Sequence, residues 1–70
     1  MLREIDYKAI KWNTNNPTEK KVVEKLDAAI QKYGKIVVKE KNIAKGTFIN
    51  IYAYDKTLYR NILVSSVQIY

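Results

Sequence analysis

The residues best suited to chemistry are aromatic and lysine side chains on neighbouring stretches of the chain. In residues 47–55 one parity carries three aliphatic residues, and the other is aromatic except for Asn50. Alternate residues of a strand point to opposite faces, so a strand here would carry one aliphatic and one aromatic face. Aromatic rings beside lysines can stack unpaired bases while the ammonium groups contact phosphates. The aromatic parity is Phe48, Tyr52 and Tyr54, and the aliphatic parity is Ile49, Ile51 and Ala53.

Lysines dominate the positive charge and cluster just before this segment. The chain has eleven Lys against two Arg and a formal net charge of +6. Lysine favours phosphate contacts, whereas bidentate reading of base edges is mostly done by arginine. The sequence therefore predicts a small basic binding module that contacts nucleic acid. Its candidate binding residues are Lys35, Lys39, Lys41, Lys45, Phe48, Tyr52 and Tyr54.

The same residues have two other interpretations. A bare aromatic sheet face and an unpaired strand edge can also bind another protein. The first alternative interpretation is therefore a protein–protein interaction module, a homodimer or an inhibitor of a larger enzyme. Alternatively, the lysines are solvated surface, and the tyrosines reflect only the strand propensity of that residue. Of the acidic residues, Glu40 is the one that locally opposes the lysine cluster.

Catalysis is not expected. The chain has no histidine and no cysteine, so the usual pairs of nucleophile and base are missing. The carboxylates outside the predicted helix have no metal-binding spacing, and the two glycines form no phosphate-binding loop. We expect no enzymatic activity, no metal and no cofactor.

Size and composition suggest one small domain covering residues 1–70, near the limit at which a core is stable without disulfides. The first twelve residues contain no continuous apolar region and later apolar runs are short, so neither a secretory signal nor a membrane span is expected. The lack of cysteine suits a cytoplasmic location. Abundant Lys, Asn, Ile and Tyr, which have AT-rich codons, favour a virus, plasmid or other mobile element as the source.

A helix is predicted to begin at Pro17 and end at Tyr33. Asn16 is a good N-cap, Glu19 can complete a capping box, and Gly34 is expected as a left-handed C-cap. One face of this helix is apolar and the other is charged. The apolar stripe is Val22, Val23, Leu26, Ala29, Ile30 and Tyr33.

Four strands are predicted around this helix. The first is built on Ile5, Tyr7 and Ala9 with a bulge near Ala9 and Ile10, and the others cover residues 35–41, 47–55 and 58–70. Residues 42–46 are expected to be a loop, and Asp55, Lys56 and Thr57 are expected to turn the chain before the last strand. A bulge or break is expected at Ser65 and Ser66. The strand–helix–strand order favours a right-handed crossover. The sequence predicts an α+β fold, β-α-β-β-β, with a single helix packed on one face of a small, mostly antiparallel four-stranded sheet.

Overall fold

The computed structural model describes residues 2–70. This part of the chain forms one helix and a four-stranded sheet, which confirms the predicted α+β class and the order β-α-β-β-β. The elements are β1 (Leu2–Ile5), α1 (Pro17–Tyr33), β2 (Ile36–Ile43), β3 (Gly46–Asp55) and β4 (Arg60–Gln68).

The ends of α1 follow the capping residues in the sequence. The Oδ1 atom of Asn16 accepts hydrogen bonds from the backbone N–H groups of Thr18, at 2.9 Å, and Glu19, at 3.4 Å. Gly34 has φ 82° and its N–H donates to the Ile30 carbonyl at 2.7 Å, as expected of a C-cap. Only half of the predicted capping box forms, because the Glu19 side chain does not accept from the Asn16 N–H. The Asn16 N–H donates to the Asn13 carbonyl instead, and Glu19 accepts from the Asn13 N–H at 3.5 Å.

The sheet order is β1-β2-β3-β4, and all three neighbouring pairs are antiparallel. The predicted right-handed crossover is therefore wrong, because β1 and β2 would have to be parallel. The reason lies in residues 6–16. They carry the chain back along the sheet, so that α1 begins beside Ser66 to Gln68 and ends beside Tyr54. Since β1 also runs toward the Tyr54 end, β2 starts where β1 was heading and must run antiparallel to it.

The first strand is shorter than predicted and ends at Ile5. Asp6 stops it by forming a turn, in which its side chain accepts from the Lys8 N–H at 3.2 Å and its carbonyl accepts from the Ala9 N–H at 3.1 Å. The predicted bulge near Ala9 therefore has no strand to interrupt. Tyr7 and Trp12 pack against the core instead, joined by a 3.3 Å hydrogen bond from the Trp12 indole to the Tyr7 carbonyl.

Both hairpin turns differ from the prediction. The first contains only Ala44 and Lys45, so most of the predicted loop at 42–46 belongs to strands. Gly46 closes it with φ 144°, and a Cβ atom there would collide with the Tyr70 carbonyl oxygen. The second turn covers residues 56–59, which delays β4 until Arg60. Asp55 holds this second turn by accepting hydrogen bonds from the N–H groups of Thr57 and Leu58.

The irregularity predicted in the last strand is a β-bulge. Ile51 lies opposite Ser65 and Tyr52 lies opposite Leu63, so Val64 has no partner on β3. The bulge therefore lies one residue before the predicted position. It reconciles the two parities of β4, because Ile62 and Val67 now point to the same side of the sheet.

The core lies between α1 and the aliphatic side of the sheet, as predicted. The predicted helix stripe contributes its buried or half-buried residues, and α1 contacts β2, β3 and β4. The predicted aliphatic parity of β3 is entirely buried. The buried apolar residues are Val22, Leu26, Ala29, Ile36, Val38, Ile49, Ile51, Ala53 and Val67.

Candidate functional site

The sheet face opposite α1, which we call the open face, carries the predicted aromatic residues. Its members follow from the cross-strand register, because directly opposed residues of antiparallel strands point to the same side. No other described element covers this face. It consists of Leu2, Glu4, Val37, Lys39, Lys41, Ile43, Phe48, Asn50, Tyr52, Tyr54, Asn61, Leu63, Ser66 and Gln68.

Lysines of β2 and aromatic rings of β3 form two adjacent columns on the open face. Lys41 lies directly opposite Phe48, and Lys39 lies opposite Asn50. The Lys39 Nζ atom reaches diagonally to Tyr52 and lies 5.4 Å from the centroid of its ring. The two strands thus bring ammonium groups to within one side-chain length of the rings. This is the juxtaposition that the sequence predicts.

The three rings differ in how much surface they present. Phe48 and Tyr52 are half-buried, whereas Tyr54 is 51% exposed. Part of the Tyr52 face is covered by Lys39 through their cation–π contact, which is worth about 0.5–1 kcal/mol at an exposed site. A planar ligand can therefore stack on Tyr54 directly, and on Tyr52 once Lys39 turns away.

The remaining predicted residues lie at the two ends of the open face. Lys35 precedes β2 and lines a cavity with Tyr52 and Tyr54. Lys45 occupies the β2–β3 turn at the opposite end, where its carbonyl accepts from the Gln68 side chain at 3.2 Å. The structure thus places five of the seven predicted residues on the face itself, and the other two extend its positive charge at either end.

The charge on the open face is less balanced than the sequence suggests. Glu40, the expected opponent of the lysines, lies on the helix side of the sheet opposite Ile49. Its Oε1 atom accepts from Arg3 at 3.4 Å and from Asn42 at 2.9 Å. Within residues 2–70 the carboxylate on the open face is that of Glu4, opposite Lys39. The sequence could not show that Glu4 lies opposite Lys39, because this pairing depends on the register of β1.

Comparison of the chain with protein-family models, curated proteins and solved structures finds no match.

Neither a metal site nor a membrane-crossing helix is found in the part of the chain that the structure describes. Residues 2–70 contain no group of three acidic side chains placed to hold a metal ion. Over the same range, no helix is both long enough and apolar enough to cross a bilayer.

Sequence reasoning missed several residues at the Tyr54 end of the open face. Asn61 lies opposite Tyr54 and Leu63 lies opposite Tyr52, where Leu63 is 54% exposed. Lys56 lines a cavity with Tyr54, although the sequence assigns it only to a turn. The signal was hidden because the register of β4 depends on the length of that turn. A turn of four residues, with Tyr59 at φ 55°, is not evident from the residue types.

The assembled face can bind an extended polyanion that also carries flat apolar groups. The aromatic column runs from Phe48 to Tyr54, and the six steps between these residues cover about 20 Å along a strand. Lysines run parallel to it on β2, about 4.8 Å away in the neighbouring strand. Bases can lie on the rings while phosphates contact the ammonium groups, and neither interaction requires a particular base sequence.

Proposed function

We propose that this chain is a non-enzymatic module that binds single-stranded nucleic acid on its open face. The observation that carries the proposal is the pairing of the two columns: Lys39 and Lys41 lie beside Phe48 and Tyr52 on a face that no described element covers. In this function the lysines contact phosphates, and the rings stack unpaired bases at about 1–3 kcal/mol per base.

The charge distribution supports a polyanionic ligand. The net charge is +6, and strand alternation places Glu40 on the helix side, where it contacts Arg3 and Asn42. Asp55 is engaged by the backbone of its own turn. Within residues 2–70, Glu4 is the carboxylate that opposes Lys39 and Lys41 on the open face. The remaining excess of positive charge favours association with phosphates at low salt.

A second function, binding of another protein, is favoured by one specific observation. Leu63 is 54% exposed beside Tyr52, and Leu2 and Ile43 are also exposed on the open face. Aliphatic groups of this kind add little to nucleic-acid binding and are common in protein interfaces. The partner would be a second copy of the chain or a larger enzyme that the chain inhibits, as a small protein of a virus or plasmid can do.

The experiment compares two pairs of lysines with the same change in net charge. The double variant Lys39→Gln/Lys41→Gln removes two charges from the open face, and Lys20→Gln/Lys25→Gln removes two from the exposed side of α1. Binding of a fluorescein-labelled single strand is followed by anisotropy at several salt concentrations. We expect the plot of log K against log salt to be shallower by about 1.4 for the open-face pair, because each lost phosphate contact contributes about 0.7.

The helix pair should retain the slope of the parent protein. Equal effects of the two pairs would contradict a binding site on the open face. If the parent protein does not bind the labelled single-stranded nucleic acid and sediments at twice its 8.2 kDa mass, the second function replaces the first.

A further inference from the structure

The Tyr54 end of the open face contains a notch that the seven predicted residues do not account for. It has a volume of about 500 Å³, within the range of small-molecule sites. The walls combine aromatic rings, two lysines, one amide and the aliphatic side chains of Val37 and Ala53, and none of the described residues that line the notch is acidic. The residues that define the notch are Tyr33, Lys35, Tyr52, Tyr54, Lys56 and Asn61.

Three elements meet to form this notch. Tyr33 ends α1, Lys35 leads into β2, and Lys56 begins the turn after β3. Tyr54 lines the notch together with both lysines and is the most exposed ring of the open face. Tyr33 is half-buried, and the Lys32 Nζ atom lies 5.3 Å from the centroid of its ring. A flat group that enters the notch therefore meets the Tyr54 ring in a cavity that two cations also line.

The neighbouring carboxylate, Asp55, forms no ion pair with either lysine of the notch within residues 2–70. Asp55 lines an adjoining cavity with Lys32 and Lys56 rather than the notch itself. Its Oδ1 atom accepts hydrogen bonds from the N–H groups of Thr57, at 2.8 Å, and Leu58, at 3.1 Å, which hold the carboxylate in its own turn. Both ammonium groups of the notch can therefore contact an anionic ligand.

We infer that the notch holds one nucleotide whose base is unpaired. The base stacks on Tyr54, the phosphate lies between Lys35 and Lys56, and the amide of Asn61 faces a base edge, where it can both donate and accept. This inference rests on the proposed function and makes it more specific. A base within a duplex is already stacked on both faces, so the notch selects single strands over duplexes.

The lining suits a nucleotide better than two simpler ligands. A bare anion would need the lysines but not the rings, and a neutral aromatic compound would need the rings but not the lysines. A nucleotide uses both within one molecule. The notch is also continuous with the open face through Tyr52, so a strand seated on the lysine and aromatic columns can place its next nucleotide there.

The test uses two matched pairs of variants in the full chain. Tyr54→Leu removes the notch ring, and Tyr70→Leu removes an 83% exposed ring beyond the opposite end of β4. Lys56→Gln removes a notch charge, and Lys25→Gln removes one from the exposed side of α1 at the same net charge. The probes are a labelled ten-residue oligothymidylate and a DNA duplex of equal length. The ¹H–¹⁵N spectrum of each variant confirms that it is folded.

We expect Tyr54→Leu to lower the affinity for the oligothymidylate at least about fivefold and to reduce the preference for single-stranded over duplex DNA. Tyr70→Leu should remain within twofold of the parent protein, and Lys56→Gln should weaken binding of the strand more than Lys25→Gln. Thymidine monophosphate should shift the amide resonances of Tyr54, Lys56 and Asn61.

The outcomes separate the two levels of the proposal. If the parent protein binds the strand but the members of each pair behave alike, the notch is overturned while binding on the open face stands. If the parent protein binds no strand, the proposed function itself fails.

Discussion

Asn50 lies in the middle of the open face, yet it is only 7% exposed. Its neighbours on the face are Lys39 and Ser66 across the strands, and the Ser66 hydroxyl donates to the Asn50 Oδ1 atom at 2.6 Å. A buried amide without this partner would lose a hydrogen bond that water cannot fully replace. The pair therefore fixes β3 against β4 at the centre of the proposed binding surface.

Replacing Ser66 should show how much the Asn50–Ser66 hydrogen bond contributes to the stability of the fold. We expect Ser66→Ala to lower the free energy of unfolding by about 1 kcal/mol, since it leaves the Asn50 oxygen unsatisfied in a partly buried site. Ser65→Ala is the matched control, because the neighbouring side chain lies on the helix side of the sheet opposite Ile51. Urea unfolding of both variants gives the comparison. Equal losses of stability would show that the Asn50–Ser66 bond has no special role.

In the unbound protein, Lys39 partly covers the ring of Tyr52. The 5.4 Å cation–π contact covers a ring that the proposed function needs. The contact is weak enough at an exposed site to be exchanged for a phosphate and a base. Binding thus replaces an internal contact with two external ones.

Among the elements, β4 shows most clearly how pattern and structure are related. Its apolar residues change parity between Val64 and Val67, and a regular strand would therefore turn part of them away from α1. The bulge at Val64 corrects this by adding one residue without a partner on β3. The bulge is needed because β4 has one more residue than β3 in the paired region. The sequence of β3 itself does not require a bulge.

Removing that residue should be tolerated. Deletion of Ser65 lets Val64 occupy the position opposite Ile51 and leaves Leu63 and Val67 on their present faces. We expect the variant to unfold cooperatively by circular dichroism, within about 1–2 kcal/mol of the parent protein. Deletion of Asn50 from β3, where no bulge can absorb the change, should abolish the cooperative transition. Loss of cooperativity in both variants would mean that the bulge itself is required.

The sequence predicts the helix and the faces of β3 well because their signals are local. Asn16, Pro17 and Gly34 mark the limits of α1, and the two parities of β3 are complete within one strand. The predictions of the crossover and of the end of the first strand were wrong, because both features depend on the path of residues 6–16. That path is set by a turn at Asp6 and by Tyr7 and Trp12 packing on the core, which no periodicity reveals.

For the candidate residues too, the sequence predicts the positions that depend on local alternation and misses those that depend on turn length or register. Phe48, Tyr52 and Tyr54 share a face by alternation alone, and Lys39 and Lys41 join them once β2 and β3 pair. Lys56 and Asn61 were missed because their position depends on the length of the β3–β4 turn. The side to which Glu40 points follows from strand alternation, but its partner Arg3 depends on the register of β1.

At the scale of the whole molecule, the fold has two layers and two unlike surfaces. One helix covers the aliphatic side of the sheet, and a single helix cannot cover both sides. The chain therefore leaves aromatic and aliphatic residues on the open face while carrying a net charge of +6. Expectations about its source in a mobile element and its cytoplasmic location stay predictions from composition.

The most direct test of nucleic-acid binding is the salt dependence of single-strand binding by the unmodified chain. Anisotropy of a labelled oligothymidylate is measured from about 50 mM to 300 mM salt. With three or more lysines on phosphates, we predict binding at about 50 mM and a slope of log K against log salt of about −2 or steeper. The absence of binding at about 50 mM salt, where phosphate contacts are strong, would contradict the proposed function.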